Sequence, residues 1–192
     1  MELIRPKKTL YNGILFRSKL EAKWAVFFDT LCIAFKYEPV WDEVDIGIGY
    51  VPYKPDFYLP GIDLWVEVKP VGFRNMKDGD KKKAEGWARD YEGLLVLVGP
   101  PSMPKDTTEE HYYLTWNERK KVFYLNDHMW WCECPKCGRI NVQPDGGIPT
   151  DCAKSCYPEP SYDLFGDELP EPTGHKSSRL KNAYRLAHNF EF

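Results

Sequence analysis

The stretch that most constrains this chain is residues 64–69, LWVEVK. Leu64, Val66 and Val68 alternate with Trp65, Glu67 and Lys69, the period-two pattern of a strand buried against a core. Side chains two apart leave the same face of a strand, so Glu67 and Lys69 stand side by side. An outward-facing salt bridge explains most isolated E-x-K pairs. An acid and a base set among Leu, Val and Val are nevertheless costly to bury without a purpose.

The flanking sequence supplies the partners of that strand. Residues 17–33, RSKLEAKWAVFFDTLCI, read as an amphipathic helix, with Leu20, Trp24, Phe27, Phe28 and Leu31 on one face. Ser18 is a candidate N-cap with Glu21 three places later, the spacing of a capping box, which by itself explains Glu21 locally. Cys32 falls inside this helix and reads as a small core residue. FKYE at 35–38 reads as a strand stopped by Pro39, VDIGIGYVPY as a weaker strand, and PDFYL as the strand before the Pro60-Gly61 turn. Helical spacing returns over 80–91, with Gly93 in the C-cap position, and LLVLVG is a strand covered on both faces. The order helix, three strands, helix, strand predicts an α/β core. HYYLTW and KVFYLN are candidate further strands. The expected organisation is a core over 1–126, a cysteine module over 127–157, and an acidic linker with a short basic helix over 158–192.

Asp56, in Pro55-Asp56-Phe57, opens one strand, and Glu67 lies on the next. Two carboxylates converging at a strand end make a hard-oxygen site suited to Mg2+ or Mn2+. A lysine beside it can orient an attacking water or offset charge at a phosphoryl centre.

Taken together, FRSKLEAKWA, YEPV, YKPDFYLP and LWVEVKP closely resemble the PD-(D/E)XK nuclease superfamily. The resemblance covers roughly residues 11–100. It implies a restriction-endonuclease-like fold, a mixed sheet flanked by helices, and metal-dependent hydrolysis of DNA leaving 5′-phosphates. It also implies that Asp56, Glu67 and the carbonyl of Val68 hold Mg2+, that Glu21 holds a second ion or its water, and that Lys69 positions the nucleophilic water. Glu38 has no fixed place in the motif and reads as structural. The compact spacing looks like phage-type junction-resolving and transposon end-cleaving endonucleases, without choosing between double-stranded and branched DNA. A homodimer would suit cutting of both strands. The competing functions are a non-catalytic nucleic-acid-binding or assembly protein that kept the fold, and a nuclease subunit of a recombination, transposition or packaging complex.

Five cysteines crowd residues 132–156. Cys134-Pro-Lys-Cys137-Gly138 has the form of a zinc knuckle, and Cys152 with Cys156 can complete a four-thiolate structural site. The three-residue gap of the second pair is wide, which keeps Cys132 and His128 in play as substitutes. Disulfides are disfavoured because no export signal is evident. Trp130 and Trp131, just before the cluster, read as a hydrophobic hinge onto the core.

Composition sets the outer bounds. Hydrophobic residues make up 43% of 192 residues, enough for a real core, and no apolar run approaches the roughly 18 residues of a membrane span. A cytosolic location is expected. Net charge is −3, which argues against a nonspecific charge-driven coat on nucleic acid. Lys81, Lys82 and Lys83 nevertheless form a basic cluster, as do Lys176, Arg179, Lys181 and Arg185.

Overall fold

The computed structural model describes residues 6–103, 111–144, 149, 152, 155–156 and 174–192. The acidic stretch expected over 158–173 lies outside the described residues.

The chain opens with a hairpin of β1 (Thr9–Tyr11) and β2 (Ile14–Phe16). Its turn residues Asn12 and Gly13 have φ of 47° and 79°, the left-handed pair that a two-residue hairpin loop requires. Helix α1 (Lys19–Thr30) then starts at Ser18, whose side chain accepts from the Glu21 amide. It ends earlier than the sequence predicts. Ile33 N donates to Phe28 O at 2.9 Å and Cys32 N to Asp29 O at 3.0 Å, a Schellman closure with Cys32 at φ 57°. Cys32 is consequently exposed, not a core residue. The apolar pattern of Leu31 and Ile33 runs on past a helix whose backbone has already turned.

Seven strands form one mixed sheet in the order β11-β10-β9-β8-β7-β6-β3. They are β3 (Lys36–Tyr37), β6 (Phe57–Leu59), β7 (Leu64–Lys69), β8 (Leu94–Val98), β9 (His111–Asn117), β10 (Val122–Glu133) and β11 (Ile140–Pro144). Only β7 and β8 pair in parallel, because helix α2 (Asp78–Asp90) carries the chain back between them. The described residues thus form a mixed α/β fold with three α-helices, the third being α3 (Ser178–Asn189). None of these helices is long and apolar enough to cross a membrane.

The stretch VDIGIGYVPY is not one weak strand. It is most of a separate hairpin, β4 (Asp42–Asp45) and β5 (Tyr50–Tyr53), with Gly47 and Gly49 in positive φ at its turn. This hairpin lies on α2. A Cβ built on Gly86 would meet Val44 Cβ at 2.8 Å and Asp45 O at 3.0 Å, so the glycine permits the close approach. Arg89 donates to Asp45 O at 3.1 Å, fixing the same contact.

The sheet separates two apolar clusters. One face packs Phe27, Phe28, Val66, Trp131 and Tyr184 against α1 and α3. The other packs Val44, Trp87, Leu94 and Val96 beneath α2 and the β4–β5 hairpin. Each fully buried large side chain is worth about 1.5–3 kcal/mol relative to exposure. Strand β10 runs unbroken across residues 126 and 127, so the cysteine segment hangs from the main sheet. Trp131 packs within the first cluster, 5.6 Å from the Phe27 ring centroid, whereas Trp130 lies against His175 at 4.9 Å.

Candidate active site and metal centre

Three elements bring the four predicted site residues to one region. Glu21 comes from the first turn of α1, Asp56 from the residue before β6, and Glu67 and Lys69 from β7. The three carboxylates are all buried.

Glu21 is held by more than a helix cap. Its Oε1 accepts from Ser18 Oγ at 2.7 Å, and its Oε2 from Tyr37 OH at 2.6 Å and the Arg17 amide at 3.1 Å. The tyrosine fixes the carboxylate from β3, a strand distant in sequence. Burial, then the bond to Glu21, pushes the Tyr37 phenol well above its ordinary range.

Asp56 uses both oxygens. Val68 N donates to Oδ2 at 2.8 Å and Arg17 donates to Oδ1 at 2.7 Å. Burial, followed by the nearby charges of Glu67 and Glu21, raises its pKa well above the carboxylate range despite these two donors. Glu67 and Glu21 thus lie near enough to Asp56 for their charges to act on it.

Glu67 is different. Lys69 Nζ pairs with its Oε1 at 2.7 Å, while Oε2 is buried without a hydrogen-bond partner. Burial raises the Glu67 pKa against the pull of Lys69. Burial also pulls Lys69 down, but Glu67 and Asp56 outweigh it, so the net shift is upward and the amine stays protonated. The buried Tyr53 hydroxyl nearby is pushed up by burial and then by the Glu67 and Asp56 charges. Glu67 Oε2 and the Tyr53 hydroxyl both fall short of hydrogen-bond geometry, yet they lie close enough that the tyrosine helps to offset the effect of burial on Glu67.

Arg17, Glu38 and Lys54 complete the rim. Arg17 Nε and Lys54 Nζ each reach Glu38 at 2.5 Å, and Arg17 spans from there to Asp56. Glu38 thus serves to hold two cations, in keeping with a structural role. Neither Arg17 nor Lys54 was singled out as a site residue from sequence. Their adjacency to Ser18 and to Pro55-Asp56 was the available signal. The cleft above these groups measures about 550 Å³ and presents Arg17, Lys54, Lys69 and Lys83 against Glu67 and Asp80.

The second centre lies at the end of β10 and β11. One sulfur from each of Cys134, Cys137, Cys152 and Cys156 lies within 4.8 Å of all the others. Cys137 and Cys152 are 3.5 Å apart, too far for a disulfide and close to the spacing of about 3.8 Å that Zn–S bonds near 2.3 Å give in a tetrahedron. The knuckle forms as the Gly138 amide donates to Cys134 O at 2.8 Å, with Gly138 at φ 72°. The Arg139 amide bonds the Cys137 sulfur and is the first cause of its thiol dropping to about 7. These four cysteines are positioned to hold a metal ion, and the donor set suits zinc.

Cys132 is outside the set. Its thiol donates to Trp130 O at 3.3 Å, and burial pushes it up to about 12. His128 is also outside the group and lies at φ 56° near a register shift between β9 and β10. Arg179 of α3 ties the knuckle to the core through Gly138 O and Glu133 at 3.2 Å each, and through Leu31 O at the end of α1.

Comparison of this chain with protein-family models, with curated proteins and with solved structures finds no match in any of the three.

Proposed function

We propose that the chain is a Mg2+-dependent endonuclease that hydrolyses phosphodiester bonds of double-stranded or branched DNA and leaves 5′-phosphates. The observation that carries this reading is the pair of buried carboxylates Asp56 and Glu67, near enough that the Glu67 charge raises the Asp56 pKa, with Lys69 on the Glu67 strand face. The order α1, antiparallel β3, β6 and β7, then α2 and parallel β8 adds support, because it is the order the restriction-endonuclease-like resemblance implies.

Asp56, Glu67, the Val68 carbonyl and Glu21 are the groups that would hold the divalent ion. When bound, that ion supplies Lewis-acid polarisation of a phosphoryl oxygen and acidifies a water. Lys69, oriented by Glu67, positions the attacking water and offsets negative charge developing at the phosphoryl oxygens. Ser18 and Tyr37 keep Glu21 in place. Arg17, Lys54 and Lys83 supply positive charge for the phosphate backbone. Zinc in the four-cysteine centre has a structural role, closing a segment with little apolar material of its own.

One observation favours a second reading. Both Asp56 oxygens already accept hydrogen bonds, from Arg17 and from the Val68 amide, as suits a binding protein that does not cleave. Incubation with Mg2+ and labelled linear, nicked, forked and four-way-junction DNA separates the two. Cleavage of at least one substrate is expected. A folded, zinc-loaded protein that binds DNA and cuts none of them would favour the second reading.

A further inference from the structure

One side chain beside the cleft differs from the other six tryptophans, all of which are at least partly buried. Trp41 precedes β4, is 65% exposed, and lines the same cleft as Arg17, Lys54, Lys69 and Lys83. An indole left in water gives up the burial that large aromatics elsewhere in this chain obtain. Trp87 stacks on Tyr91 at 4.0 Å and Trp65 packs on Trp87 at 5.0 Å, yet Trp41 joins neither group.

The β4–β5 hairpin that follows Trp41 is anchored on α2 by the Val44–Gly86 approach and the Arg89 bond to Asp45 O. Asp42, the next residue, accepts from Tyr91 OH at 2.5 Å. A flat apolar face therefore lines a cleft dominated by cations, next to a hairpin anchored on α2. Cations match phosphates, and an exposed ring matches the face of an unstacked base. A paired duplex offers no such face, because its bases are stacked on one another.

We infer that Trp41 is a stacking platform for an unpaired DNA base, so that the cleft prefers DNA carrying a single-stranded segment beside the bond to be cut. This rests on the endonuclease reading and narrows its substrate class to forked or otherwise branched DNA. Trp41 acts as a specificity residue and does not touch the reacting phosphate.

The test measures binding by fluorescence anisotropy, without Mg2+ so that no strand is cut, using the full zinc-loaded chain. The probes are a labelled fork and a fully paired duplex of the same length. Wild type is expected to bind the fork more tightly than the duplex. Trp41→Ala should weaken fork binding by about five- to a hundredfold, the range for one base–aromatic stack, and leave duplex binding unchanged. Trp41→Phe should restore most of the difference, which a purely structural role at this exposed position would not produce. Equal loss on both probes, or no loss, overturns the inference while leaving the nuclease reading standing. Wild type that binds neither probe without Mg2+ and cuts neither with it overturns both.

Discussion

Gly86→Ala should destabilise the protein although it replaces a glycine in the middle of a helix. In an exposed helix interior the same change stabilises by about 1 kcal/mol. Here the added methyl would lie 2.8 Å from Val44 Cβ, about 1 Å inside normal carbon contact. The neighbours are a Cβ and a backbone oxygen, which cannot rotate aside, so β4 must lift from α2. Val44 is fully buried, and a gap of that size forfeits a quarter to a half of its dispersion contacts. Overpacking of this kind costs about 1–3 kcal/mol. Set against the helix gain, the net loss is about 1 kcal/mol, or about 2–4 °C in melting temperature for a chain of this size. Gly79→Ala in the same helix is the control, since nothing lies within 4 Å of its added carbon. It should gain about 0.4–1 kcal/mol. Thermal melts by circular dichroism on both variants read the sign. If Gly86→Ala melts as high as Gly79→Ala, the hairpin does not sit on α2 as described.

Asp56 and Glu67 have folded pKa values raised chiefly by burial, so the metal-free fold binds more protons than the unfolded chain above about pH 4. Their contribution is therefore lost as pH rises towards the raised values, and the melting advantage of Asp56→Asn over wild type in Mg2+-free buffer should grow with pH; a shrinking advantage contradicts the assignment. His111, buried and lowered to about 4, acts oppositely below about pH 6.5, and comparing the two proteins at each pH cancels it. Metal analysis should find about one zinc per chain in wild type and in Cys132→Ser, and none in Cys137→Ser, which should also melt well below wild type. Retention of zinc by Cys137→Ser, or its loss from Cys132→Ser, would redraw the ligand set.

Short-range chemistry was readable. Period two put Glu67 beside Lys69, helical spacing gave α1, and the knuckle spacing named Cys134 and Cys137. Two local turn signals also stand in the sequence. Asn12-Gly13 marks a hairpin, and the paired glycines of 47–49 mark a turn within a stretch whose alternation predicts one strand. Other features needed the tertiary structure. Whether Cys132 joins the sulfur set depends on which face of β10 its side chain leaves. The bridge from Arg17 through Glu38 to Lys54 joins residues from three separate segments. Glu21 gains its second anchor, Tyr37, only because β3 pairs with β6 beside the start of α1. No local pattern encodes such contacts.

The central claim is that Asp56, Glu67 and Lys69 carry out phosphodiester hydrolysis with a divalent ion. Single-turnover cleavage of a labelled DNA substrate in Mg2+, by wild type and by Lys69→Ala matched for zinc content and for DNA binding, tests it most directly. Wild type should cut only when Mg2+ is present and leave 5′-phosphate ends, while Lys69→Ala should bind the DNA and lose at least about a hundredfold in rate. Cleavage by Lys69→Ala at the wild-type rate would contradict the account.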